Sequence, residues 1–71
     1  MKGSRRFSHE TAQQIRTLLA DVRRADRATQ KNLRQRIRKL DFYISDFNRP
    51  IAGFRPDDFD ELVRAGKIEI I

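Results

Sequence analysis

A chain of 71 residues with no cysteine and a single histidine, His9, has few ways to hold itself together beyond an apolar core. Disulfides and thiolate metal sites are excluded by composition. One imidazole does not make a single-chain zinc site. A chain this short buries only about 60% of the surface its unfolded form exposes. The fold therefore has to be read from where the apolar residues recur.

They recur first at helical spacing. Ser8 has the chemistry of an N-cap, with Phe7 before it as a staple. Ile15, Leu18, Leu19 and Val22 follow, which predicts a helix over residues 9–24. Leu33, Ile37 and Leu40 restart the pattern after a polar stretch in which Asp26 and Thr29 are both acceptable N-caps. No Gly or Pro forces a break there. An unbroken helix of about 32 residues would be about 48 Å long at 1.5 Å per residue. A monomer of this size cannot cover it, so a bend within residues 24–29 is the favoured reading.

Residues 42–47, FYISDF, alternate like a strand, with Phe42 and Ile44 to one side and Tyr43 and Phe47 to the other. A strand apolar on both faces wants covering on both, which argues for a second subunit. Residues 48–53, NRPIAG, read as a loop. Pro56 then suits the first position of a helix over residues 56–65, with Phe54 and Phe59 as its staple. Asp57 and Asp58 sit at its positive dipole end, Arg64 at its negative end, and Gly66 serves as its left-handed cap. Residues 67–71 alternate as a terminal strand with Ile68 and Ile70 on one face. The expected fold class is α+β, mainly α: two N-terminal helices (helix-turn-helix-like), then strand, short helix and strand. It forms a single small domain over residues 1–71, with 1–7 as a flexible basic arm.

The net charge of +6 hides a segregation. Residues 1–40 hold twelve basic groups against three acids, +9; residues 41–71 hold four against seven, −3. Segregated charge predicts one half that meets a polyanion. Within the second helix Arg27, Lys31, Arg34 and Arg38 follow at spacings of four, three and four. At 100° per residue they lie within about 60° of one another. The apolar stripe is centred about 120° away. Gln30 and Gln35 flank the cations, while Arg36 and Lys39 point elsewhere. No acid lies between Asp26 and Asp41, although a merely solvated helix usually interleaves Glu with its cations.

This pattern predicts a basic helix in a DNA major groove, where Arg and Lys pair with guanine and Gln with adenine. Arg5, Arg6, Arg16, Arg23 and Arg24 are the expected phosphate contacts, the first two with access to a minor groove. The layout of residues 11–40, TAQQIRTLLADVRRADRATQKNLRQRIRKL, resembles a helix-turn-helix, though without the usual Gly in the turn. The expected function is a small DNA-binding regulator, a homodimer, with duplex DNA favoured over RNA as partner. The competing reading is a protein-interaction module for an acidic partner.

Catalysis has little support. Ser8, His9 and Glu10 are sequence neighbours and do not face one another on a helix. Tyr43 is placed to stack on a base, with burial the commoner fate of such a residue. Asp57, Asp58, Asp60 and Glu61 are accounted for by the dipole and by solvation. No Gly-rich phosphate loop is present. Neither enzyme activity nor a cofactor, metal or small-molecule substrate is expected. No apolar run nears the roughly 20 residues of a membrane span. The basic residues of Met1 to Arg6 are not followed by a signal-like apolar stretch. The expected compartment is the cytoplasm.

Overall fold

The computed structural model describes residues 3–47 and 54–71. A two-residue strand β1 (Arg6–Phe7) leads into helix α1 (His9–Val22) and helix α2 (Arg27–Lys39). A 3-10 turn (Ile44–Phe47), helix α3 (Pro56–Arg64) and strand β2 (Glu69–Ile70) follow. The expected mainly helical α+β class is what is found. The loop expected at 48–53 lies outside the described residues, as do residues 1 and 2.

The α1 start is built as its sequence implies. Ser8 is extended, and its hydroxyl oxygen accepts from the Thr11 N–H at 3.1 Å. Phe7 and Ala12, the staple positions, are both buried. The chain does bend between the helices, and α1 stops at Val22 without Gly or Pro. Asp26 turns extended and its carboxylate accepts from the Thr29 N–H at 2.8 Å, which caps α2. The Gln30 side chain donates to the carbonyls of Val22 and Ala25, both at 3.1 Å. Carbonyls that a continuous helix would satisfy are thus satisfied by a side chain from the next helix.

α2 ends differently from the expectation that a strand follows at once. Asp41 adopts φ 63°, the left-handed region that Asp tolerates better than most residues. That reversal sends Phe42 inward. Residues 42–47 are not a strand: the Asp46 N–H donates to the Tyr43 carbonyl at 3.0 Å in the 3-10 turn. The alternation is real in burial, because Phe42 and Ile44 are buried while Ser45 is exposed. Phe47, expected on the face opposite Phe42, instead packs its ring 5.8 Å from Phe42. Tyr43 is half-buried.

α3 begins and ends on its sequence signals. Pro56 is at N1, and Asp58 accepts from the Arg55 N–H at 2.9 Å. Gly66 at φ 77° completes a Schellman motif. Its own N–H donates to Val63, and that of Lys67 donates to Leu62. Ile68 is thereby turned back under α3, and β2 runs parallel to β1 in the register Arg6↔Glu69, Phe7↔Ile70. The Glu69 and Ile71 N–H groups donate to the carbonyls of Arg5 and Phe7.

The expectation of a free basic arm is therefore corrected from Gly3 onward. The Gly3 N–H donates to the Asp46 carboxylate at 2.9 Å and the Ser4 N–H to the Asp41 carbonyl at 2.8 Å. A Cβ on Gly3 would collide with that carbonyl and with the Tyr43 ring.

Phe42 is the centre of the core. Its ring meets Phe7 and Phe59 edge-on at 6.0 and 5.4 Å, and Phe54 at 5.8 Å. Ile15, Leu19 and Val22 of α1 join Leu33 and Ile37 of α2 and Leu62 of α3 around it. No polar side chain is buried among the described residues. The radius of gyration is 11.2 Å, as expected for a compact chain of this length. Of the four residues on the two faces that argued for a second subunit, Phe42 and Ile44 are buried within the one chain, while Tyr43 and Phe47 are half-buried.

Candidate nucleic-acid interface

α2 buries Leu33 and Ile37 and turns its other side outward. Arg27, Lys31 and Arg38 are exposed, and Gln35 with them. Arg34 is half-buried, beside a cleft of about 110 Å³ that it shares with Arg38, Tyr43 and Ser45. From Arg27 to Arg38 the helix rises about 16 Å. The 3-10 turn and the aromatic cluster lie directly beyond its end, so this row of cations is carried on a packed element rather than on a loop.

Its electrostatics are one-sided. Among the described residues the ion pairs are Arg6 with Glu69 at 2.8 Å and Arg16 with Asp60 at 3.2 Å. None of Arg27, Lys31, Arg34 and Arg38 enters one. Arg38 also sits in the last turn of α2 with Arg36 and Lys39, where the helix dipole favours positive charge. That accounts for the C-terminal cations. It does not account for Arg27, in the first turn where the dipole disfavours a cation, or for Lys31 in the turn after it. Asp26 offsets part of this at the cap. Its carboxyl is held below its ordinary value of 3.8 by hydrogen bonding from the Thr29 side chain, then from the Thr29 N–H.

The remaining expected site residues divide. Arg23 and Arg24, at the end of α1, are exposed and next in sequence to the start of α2. Arg6 and Arg16 are engaged by carboxylates of the acidic half of the chain. Arg5 donates to the Lys67 carbonyl at 3.1 Å. Gln30 is not a free reader of bases, because its amide protons hold the turn between α1 and α2. Arg36 and Lys39 line a separate groove of about 640 Å³ between α1 and α2, with Leu18 and Leu40 at its floor.

One cation was invisible to periodicity. Arg55 lies outside any helix repeat, yet α3 brings it to a cleft of about 480 Å³ that also holds Arg23 and Arg24. Only the packing of α3 on α1 reveals that neighbourhood. No helix of the described residues is long and apolar enough to cross a membrane. Comparison with protein-family models, with curated proteins and with solved structures finds no match to this chain.

Proposed function

We propose that the chain is a small, non-enzymatic regulator that binds duplex DNA, with α2 presented to the major groove. The supporting observation is the row Arg27, Lys31, Arg34 and Arg38 on one side of a packed helix, none of them in an ion pair among the described residues. Two carboxylates of the acidic half, Glu69 and Asp60, pair instead with Arg6 and Arg16. Guanidinium groups fork onto phosphate and onto the guanine edge. Arg27, Lys31 and Arg38 supply the exposed contacts, and Gln35 is the amide available to a base.

The test is a salt titration of binding to a mixed-sequence duplex, with structured RNA as competitor. With about five phosphates neutralised, log affinity falls with log salt at a slope near −4.5. The double variant Arg34→Ala, Arg38→Ala is expected to bind more weakly with a shallower slope, while thermal melting verifies that it folds. A double variant that binds like the parent overturns the placement of α2. RNA that displaces the duplex at equal concentration overturns the choice of DNA. Binding to an acidic protein but to no duplex at low salt overturns both.

A further inference from the structure

Arg55 breaks two local rules at once. It is the N-cap of α3, a position where Ser, Thr, Asp or Asn stabilises the helix, and its side chain makes no capping hydrogen bond. It also places a cation at the end of α3 whose dipole favours anions. Arg23 and Arg24 line the same cleft, so three exposed arginines from two parts of the chain border it. Asp57 also lines the cleft and Asp58 accepts from the Arg55 N–H, so two carboxylates stand near the three cations and a formal +1 is left. Arg23 and Arg24 have a local reason for their charge, since they follow the C-terminal end of α1. Arg55 has none. A residue unfavourable to its own helix, held beside like charges, is a mark of function rather than of folding.

We propose that Arg23, Arg24 and Arg55 form a clamp for the sugar–phosphate backbone of the duplex, next to the face of α2. This rests on the reading of α2 given above. The ligand class follows from the chemistry: three arginines around an open cleft match the oxygens of phosphodiesters. The location follows from the chain, because Arg23 and Arg24 stand just before the turn that starts α2, with Arg27 its first residue. A backbone strand passing the N-terminal end of α2 meets the clamp next. The clamp adds affinity without sequence preference, since phosphate contacts position and base contacts specify.

Arg55→Ser tests the clamp, because it installs a good N-cap while it removes the cation. The variant is expected to melt no lower than the parent. It should bind duplex about fivefold more weakly near physiological salt, with a slope shallower by about 0.9. Asp57→Asn should move affinity the other way. Arg55→Ser binding with the parent's affinity and slope, while the α2 double variant loses both, overturns the clamp and leaves the α2 reading intact. A parent that binds no duplex at low salt overturns both. A loss in Arg55→Ser that varies with duplex sequence overturns the phosphate assignment.

Discussion

The side-chain amide of Gln30 donates to the main-chain carbonyl of Val22 at 3.1 Å, tying the first turn of α2 to the last residue of α1. Its second bond, to Ala25, closes the turn between the helices. A residue whose type and flank suggest adenine recognition is thus a structural clasp. Gln30→Ala should cost about 1–3 kcal/mol, since the Ala25 carbonyl loses its side-chain donor and the Val22 carbonyl keeps only the long 3.4 Å bond from the Ala25 N–H. For a domain of this size each kcal/mol lowers the melting temperature by about 4–8 °C. Below the transition, duplex affinity and its salt slope should stay those of the parent. A stable variant with altered base preference would return Gln30 to the interface.

Phe42 carries the next prediction. Its ring meets four others, and it is fully buried. Truncation of such an aromatic to Ala costs about 3–5 kcal/mol. Small domains have only about 5–15 kcal/mol in total. Phe42→Ala should therefore leave the chain largely unfolded at 37 °C, and Phe42→Leu should fold with an intermediate urea midpoint. A parent-like midpoint for the Ala variant would contradict the central placement of this ring.

The parts of this fold legible in sequence are those fixed by chemistry within a few residues. Ser8, Asp26, Pro56 and Gly66 each act on groups of the adjoining turn, and each does what its type implies. What stayed hidden depends on distant partners. β1 is two residues long and has no alternation to detect; it exists because β2 returns beside it. Residues 42–47 alternate because an irregular segment over a core can also bury every second residue, and among the described residues no strand pairs with it. Among candidate site residues, the α2 row was readable because a helix repeat fixes its geometry. Arg55 and Gln30 were not, because contacts between elements bring one to the cleft of Arg23 and Arg24 and hold the other in the turn between the helices.

Asp26 makes the helix junction sensitive to acid. Its folded carboxyl lies below the ordinary value of 3.8, through hydrogen bonds from the Thr29 side chain and N–H. A depressed carboxyl stabilises the fold above its unfolded value. That contribution is lost as pH falls through the folded value. Asp26→Asn keeps an uncharged cap and abolishes the pH-dependent part. The gap in stability between parent and variant should be widest near neutrality and narrow as pH falls below the ordinary carboxylate range and through the lowered folded value. Urea denaturation across that range measures it. A gap that does not change with pH would show that the Asp26 charge contributes nothing to the cap.

Among the described residues two ion pairs match Arg6 and Arg16 with carboxylates, and the α2 row has no such match. Arg6 and Glu69 are 73% and 61% exposed in their side chains, and Arg16 and Asp60 are 45% and 37% exposed. Solvent screens pairs of this kind, so each stabilises by no more than about 1 kcal/mol. Arg16→Ala removes a cation already matched by a carboxylate, so it should move the salt slope of duplex binding less than Arg38→Ala does. The reverse experiment is more telling. Asp60→Asn with Glu69→Gln takes the net charge from +6 to +8 without touching α2. Melting should barely shift, and duplex affinity should rise as Arg6 and Arg16 become free. If affinity stays at the parent value while the α2 double variant weakens, Arg6 and Arg16 lie off the path of the duplex, and the interface is confined to α2 and the cleft beside it.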